Sequence, residues 1–178
     1  MERRSAHPSL SRRQFLLAAS LAGAGLAAGC SGSPWETLSE LEAQTLAALC
    51  DQIVPGDDFP SASQAGVVTY IDRQLTRHYR RHRGVYAAGL RQTDSLCTRE
   101  FGIGLAEASP QHQAATVRAL QQKNRRFFEL VRAHTLEGYY GSPRHGGNRD
   151  AVSWRMLGLD EPPVRGRAVC AFTAGTGS

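Results

Sequence analysis

Histidine is the residue type in this chain that could carry out acid–base or metal chemistry near neutral pH. His78 and His82 are four residues apart, which places two imidazoles on one face of a helix, where they could hold a metal ion. A catalytic zinc site normally takes three protein ligands. No third ligand follows nearby, and the arginines around His82 would repel a cation. We therefore expect no metal site here.

His134 lies on the mostly apolar face of a later predicted helix, with few other acid–base groups beside it. A lone histidine in this setting is typically buried and hydrogen-bonded, and we favour that role over catalysis. The sequence also lacks a GxSxG elbow, an HExxH motif and a P-loop lysine pattern. We predict no catalytic residues and no cofactor bound by this chain. An enzyme that uses His78, His82 or His134 is the least favoured alternative.

Three cysteines follow the apolar N-terminal segment, which is discussed below. Cys50 and Cys97 each lie on the apolar side of a predicted helix, so they are a candidate disulfide pair, and Cys170 would remain unpaired. The alternative is that Cys50 and Cys97 are buried thiols that pack as small hydrophobic side chains. No CxxC motif and no CxxCH haem attachment occurs.

The elements that must position these residues are predicted to be helices. Ser39 and Glu42 form a capping box, Pro110 follows an N-cap serine, and apolar residues recur at spacings of three and four. These signals predict helices from Ser39 to the turn at Pro55, over 63–82, from Gly84 to Gly102, from Ser109 to Asn124, from there to Gly138, and a short helix over 152–157.

The fold class that follows is all-α, because no alternating strand pattern of useful length occurs between residues 37 and 158. We predict a small irregular bundle of about five helices with a glycine-rich loop from Tyr139 and a short terminal helix. The loop assignment follows from its glycines and prolines, which interrupt helical structure.

The second predicted helix has a basic face formed by five arginines. Such a charge run is most often a solvated surface. A docking surface for an acidic partner or for lipid head groups is the alternative. Its members are Arg73, Arg77, Arg80, Arg81 and Arg83.

Residues 1–29 have the anatomy of an export signal that is removed after transport. Arg12 and Arg13 precede Phe-Leu and a mild apolar run, an arrangement similar to the twin-arginine export signature, which the twin-arginine translocon reads. The run ends at Cys30 in a sequence that resembles a bacterial lipoprotein cleavage box. We expect a lipid anchor on Cys30; ordinary cleavage that leaves a plain thiol is the alternative.

The other boundaries follow from composition. Residues 30–36 are predicted to be a tether, 37–158 a helical domain, and 159–178 a disordered tail without periodicity. Removing the signal takes away four arginines and one glutamate, which leaves 17 basic and 15 acidic side chains. This near balance gives no reason to expect nucleic-acid binding.

Several motifs in the second half resemble the family named for gluconate 2-dehydrogenase subunit 3. They are His134-Thr135, the EGYYGSP string over 137–143, Gly146-Gly147-Asn148, and Trp154 with Leu157-Gly158. In the first half, IVPGDDFP over 53–60 and the segment from Gly66 to Asp72 agree as well. The resemblance covers about residues 8–158.

The resemblance implies a non-catalytic small subunit that helps to assemble and export a periplasmic sugar or sugar-acid dehydrogenase. Its partner would be a large FAD-dependent subunit, in some complexes joined by a membrane cytochrome c subunit that carries haem c. A stand-alone membrane-tethered lipoprotein that acts as a binding or structural module is the alternative function.

The family motif positions are expected to shape a loop that packs on the large subunit. The alternative is that they close this subunit's own core, since aromatic residues do either. These positions are His134, Tyr139, Tyr140, Gly141, Pro143, Gly146, Gly147, Asn148 and Trp154.

Overall fold

The computed structural model describes residues 33–159. The predicted export signal with Arg12 and Arg13, the lipid attachment at Cys30, and the tail from residue 160 onward lie outside the described residues. The residues from Trp35 onward belong to one compact unit, and the residues before it belong to another. The description below concerns the unit that begins at Trp35.

The described residues form six α-helices and no strand, which confirms the all-α prediction. Short 3-10 turns separate or follow them at Arg80–His82, Leu105–Glu107, Pro143–His145 and Arg149–Ala151. The helices are α1 (Glu40–Asp51), α2 (Val67–Thr76), α3 (Arg83–Phe101), α4 (Pro110–Lys123), α5 (Arg125–Tyr140) and α6 (Val152–Met156).

Three helix starts follow the local signals in the sequence. The Ser39 side chain accepts from the backbone N–H of Glu42, and the Glu42 side chain accepts from the backbone N–H of Ser39, which completes the capping box of α1. Ser109 caps α4 with Pro110 in its first turn. Asn124 ends α4 and caps α5 through a hydrogen bond from the Phe127 N–H.

The prediction of one helix over 63–82 is wrong in its bounds. Helix α2 begins only at Val67, because Asp51 holds the Ser63 backbone N–H and hydroxyl at 2.7 Å each and Gly66 adopts a left-handed φ of 83°. It ends at Thr76, and the chain turns so that the Tyr79 N–H bonds the Gln74 carbonyl at 2.7 Å. The turn directs the Tyr79 ring into the protein, where it is 7% exposed.

Helix α1 lies at the centre of the bundle and contacts α2, α3, α4 and α5. Its Leu46, Leu49 and Cys50 are completely buried, and Ile71 of α2 and Val131 of α5 are buried as well. The close packing of these apolar side chains is the main source of stability in a bundle of this size. No helix among the described residues has the length and apolar character to span a membrane.

Cys50 and Cys97 are both buried, free thiols. The Cys50 thiol lies 3.2 Å from the Thr135 hydroxyl, and burial raises its pKa to about 12. The structure thus has the two cysteines packed as small side chains, the alternative to a Cys50–Cys97 disulfide.

Candidate functional site

A carboxylate on α5 accepts hydrogen bonds from two tyrosine hydroxyls at one edge of the bundle. Glu137 accepts a hydrogen bond from Tyr79 and one from Tyr70 at 3.4 Å, and the two hydroxyls lie 3.0 Å apart. Tyr70 comes from α2 and Tyr79 from the turn after it, so the network joins these elements to α5. Burial and the Glu137 carboxylate both raise the pKa of Tyr79. These hydroxyls are therefore hydrogen-bond donors near neutral pH, not bases.

His134 is stacked between two tyrosines one turn earlier on the same helix. Its ring is parallel to Tyr79 at a centroid distance of 3.7 Å, and its Nδ1 lies 2.8 Å from the Tyr86 hydroxyl. Burial lowers the pKa of His134 from 6.5 to about 4, although the Glu137 carboxylate opposes this effect. His134 is thus neutral near pH 7, as expected for a buried histidine whose hydrogen bond is satisfied.

The sequence predicted burial for His134 but missed its partners. Tyr86 is completely buried on α3, 48 residues away in the chain. The sequence did contain a local signal that Glu137 lies near His134, because residues three apart share one face of a helix. Nothing in the local sequence links either residue to Tyr70 or Tyr86.

His78 and His82 lie in the turn between α2 and α3 and not on one face of a helix. His78 is exposed, whereas the His82 ring lies edge-on to His134 at 5.8 Å. The Arg81 guanidinium donates to His82 Nε2 at 3.1 Å, so a cation already occupies that nitrogen. Across residues 33–159, no group of three histidine, cysteine or acidic side chains could hold a metal ion.

The glycine-rich loop after α5 folds back onto its own chain, and Asn148 is its central residue. Asn148 is completely buried with a left-handed φ of 46°. Its amide donates to the Gly141 carbonyl at 2.8 Å and accepts from the Ser153 N–H at 2.9 Å. One side chain thereby joins both ends of the loop, which explains why an asparagine stands there.

Two glycines in this loop are required, Gly147 by close backbone approach and Gly146 by its positive φ. A Cβ on Gly147 would overlap the Gly138 carbonyl oxygen of α5. Gly146 has a φ of 99° and lies beneath the Arg73 guanidinium, while its carbonyl approaches Gly66 at the start of α2. The loop therefore packs against both α2 and α5.

The aromatic residues that flank the loop anchor it from both sides. The Tyr139 hydroxyl donates to the Pro60 carbonyl at 2.8 Å, and the Trp154 indole N–H donates to the Tyr140 carbonyl at 2.9 Å. Tyr139 and Trp154 are buried, whereas the Tyr140 side chain is 42% exposed. Helix α5 extends through both tyrosines, so the loop starts at Gly141 and not at Tyr139.

The motif residues are thus accounted for, in large part, by closure of this chain's own fold. His134, Tyr139, Gly147, Asn148 and Trp154 are buried, and Gly141, Pro143 and Gly146 are half-buried. Asp150 and Ala151 follow Asn148 with φ values of 57° and 53°. Left-handed conformations of this kind cost about 1–3 kcal/mol each outside glycine, so the contacts around the loop must hold a strained backbone.

The five arginines of the basic run are all exposed. Within residues 33–159, the single ion pair joins Arg132 to Glu129 on α5, at 3.4 Å. The basic run therefore remains uncompensated by acidic side chains of the described chain.

Residues 40–160 match the model of a protein family described as gluconate 2-dehydrogenase subunit 3. This match covers more than half of the chain. Neither the curated proteins nor the solved structures that were compared with the chain match it.

Proposed function

Because the chain belongs to the gluconate 2-dehydrogenase subunit 3 family, we propose that it is the non-catalytic small subunit and export escort of a periplasmic FAD-dependent sugar or sugar-acid dehydrogenase. The family itself indicates a small subunit of a dehydrogenase complex that associates with other subunits. The family match is the observation that carries the proposal. In this scheme the large subunit binds FAD and oxidises the substrate, and in some complexes a membrane cytochrome c subunit with haem c accepts the electrons.

The chemistry of the described residues supports a non-catalytic role. The histidine, tyrosine and carboxylate groups that could transfer protons are bound to one another: Tyr86 to His134, and Tyr79 to Glu137. An acid–base catalyst must instead present its reactive atom to a substrate within hydrogen-bond reach. The hydrogen bonds within the chain thus already occupy the groups best suited to proton transfer.

The export part of the proposal rests on Arg12 and Arg13, followed by the apolar run to Cys30. A twin-arginine signal serves proteins that fold before transport. A large subunit that must bind FAD in the cytoplasm and has no signal of its own could cross only when bound to a partner that has one. Lipidation of Cys30 would then hold the complex at the periplasmic side of the membrane.

We place part of the contact with the large subunit at the exposed side chains beside the glycine-rich loop. Tyr140 is 42% exposed, and Leu157 and Leu159 are each 55% exposed. The Leu159 N–H bonds the Trp154 carbonyl, and Trp154 bonds the Tyr140 carbonyl, so the three residues belong to one connected region. Aromatic and leucine side chains of this kind anchor interfaces when a partner covers them.

Co-purification tests the assembly. A tagged full-length chain, expressed in its own host, should bring down a large flavoprotein with flavin absorbance. Tyr140→Ala should lower the yield of flavoprotein, whereas Leu41→Ala, at a 59% exposed site on α1, should not. A wild-type chain that purifies without any flavoprotein would contradict the proposal.

Fractionation tests the escort role. In the full chain, Arg12→Lys with Arg13→Lys should leave the flavoprotein in the cytoplasm, because the paired arginines are read together by the translocon. Arg3→Lys with Arg4→Lys is the matched control, since these arginines lie outside the pair, and it should leave export unchanged. Normal delivery of the flavoprotein by the first variant would exclude the escort role. Cys30→Ser should release the exported complex from the membrane fraction.

A further inference from the structure

A groove of about 590 Å³ lies between the N-terminal half of α3 and the first two turns of α5. Its walls include Val85 and Ala88 of α3, and Phe127 and Leu130 of α5. Val85 is 45% exposed, and Ala88, three residues later on the same face of α3, is exposed as well. The groove therefore presents an apolar surface that the described chain does not cover.

The close contact between the two helices gives the groove its floor. A Cβ on Gly89 would lie 2.5 Å from the Phe127 ring, so only a glycine lets α5 approach α3 at this point. One end is closed by the hydrogen bond from the Asn124 amide to Gln92, at 2.7 Å. The other end opens at His82, beside the arginines of the 3-10 turn.

The rim of this groove is basic. Arg126 lines it on the α5 side, and the exposed Arg80 and Arg81 stand directly before His82 at its open end. None of the residues that line the groove is acidic. Among the described residues, neither Arg126 nor the arginines of the turn pairs with a carboxylate. A ligand that fits must be apolar along its centre and negatively charged at its flanks.

We propose that this groove binds an amphipathic helix with acidic flanks, supplied by the large dehydrogenase subunit. The inference rests on the proposed function and adds where on this chain the partner is held, and by what chemistry. From His82 to Gln92 the groove follows α3 for about 15 Å, the length of about three helical turns. A partner helix with apolar residues at spacings of three and four would place them on Val85, Ala88 and Leu130, and its carboxylates beside Arg126 and Arg81.

A concave site favours a helix over a membrane surface. A membrane surface would contact mainly the exposed arginines, whereas a single helix can also pack along the space between α3 and α5. The groove and the Tyr140 region lie at opposite ends of α5, about 20 Å apart by helix rise. An interface of ordinary size, about 800 Å² on each partner, is wide enough to include both.

Two substitutions test the groove, each with a matched control. Ala88→Trp places a large side chain on the apolar wall of the groove, and Arg126→Glu reverses the charge of the rim. Ala133→Trp and Arg118→Glu make the same changes at exposed helix positions that do not line the groove. Each full-length tagged chain is co-expressed with the flavoprotein and purified in its own host, and the flavin absorbance per chain is measured. We expect a loss of about tenfold or more for the two groove variants and no change for the controls.

Each outcome decides the matter. Undiminished flavoprotein with Ala88→Trp and Arg126→Glu, while wild type binds it, overturns the groove and leaves the proposed function standing. A wild-type chain that brings down no flavoprotein overturns both. Circular dichroism and thermal unfolding check that the variants fold; if Ala88→Trp does not, the exposed Arg126→Glu decides. Co-sedimentation with phosphatidylglycerol vesicles tests whether the groove binds a membrane instead. If the two groove variants lose vesicle binding but still bind the flavoprotein, the proposal is also overturned.

Discussion

The Asp72 carboxylate on α2 accepts a hydrogen bond at 3.0 Å from the backbone N–H of Leu38, which precedes α1. The same carboxylate accepts from the N–H groups of Glu36 and Thr37, at 2.6 and 2.9 Å. One buried side chain, only 2% exposed, thus ties down the segment through which the chain enters the folded unit. In the proposed function, this is also the point to which the export signal and the lipid anchor lead.

Replacement of Asp72 should destabilise the protein through this segment. Asp72→Ala removes all three acceptor contacts and should lower the free energy of unfolding by about 2–4 kcal/mol, because three N–H groups lose their acceptor and the N–H of Leu38 is buried. Asp72→Asn keeps one acceptor oxygen and should cost less. Urea denaturation measures both values. Asp58→Ala, at an exposed position, is the control and should stay within about 0.5 kcal/mol of wild type. Equal stability of Asp72→Ala and wild type would contradict this role.

Two glycine substitutions should have opposite effects. Gly147→Ala places a Cβ against the Gly138 carbonyl and should destabilise the protein by more than about 2 kcal/mol. Gly84→Ala, at an exposed position in the first turn of α3 with no atom within 4 Å of the added Cβ, should be neutral or stabilise by up to about 0.5 kcal/mol. Thermal unfolding of the pair is the measurement. A well-tolerated Gly147→Ala would show that the loop does not pack on α5 as described.

His134 should make the stability fall in mild acid. Its pKa is about 4 in the folded protein and 6.5 in the unfolded chain, so the unfolded chain binds the proton first. The stability contributed by neutral His134 is complete above pH 6.5 and is lost as the pH falls from 6.5 to 4, at no more than about 1.4 kcal/mol per pH unit. Burial is the main cause of the lowered pKa of His134; the Glu137 carboxylate opposes it, and repulsion from His82 and His78 contributes less.

Urea denaturation at a series of pH values between 7 and 4 measures this effect. His134→Gln should flatten the dependence, because glutamine can keep a hydrogen bond to Tyr86 without titrating. His145→Gln, at an exposed site in the loop, should leave it unchanged. An unaltered pH profile in His134→Gln would exclude His134 as the source.

Cys50 and Cys97 should behave as free, protected thiols. In a Cys30→Ser, Cys170→Ser background, a thiol reagent should leave the native protein unmodified and label both cysteines after unfolding. Burial and the raised pKa of Cys50 keep the thiolate, the reactive form, scarce in the folded state. Addition of a reductant should not change the Tm. A disulfide would instead contribute about 2–4 kcal/mol, which the reductant would remove.

The local signals in the sequence were sufficient for most of the fold. Caps such as Ser39 and Ser109 act on N–H groups within three residues, so they can be recognised without a structure. The prediction of one helix over 63–82 failed because contacts with distant residues override the local helical pattern. Asp51 accepts a hydrogen bond from the Ser63 N–H, and the stacking of Tyr79 on α5 requires a turn after Thr76. Periodicity cannot register such contacts, because it counts only neighbours along one helix.

The sequence by itself determined the helical class, the caps, the burial of His134 and the motifs that mark the family. Only the tertiary structure decided which groups meet: Asp72 with Leu38, Tyr86 with His134, and Asn148 with both ends of its loop. It also decided that most loop motif residues turn inward while Tyr140 and the α3–α5 groove face outward. The physical reason is that helix formation depends on residues three or four apart, whereas these contacts depend on how separate helices pack around α1.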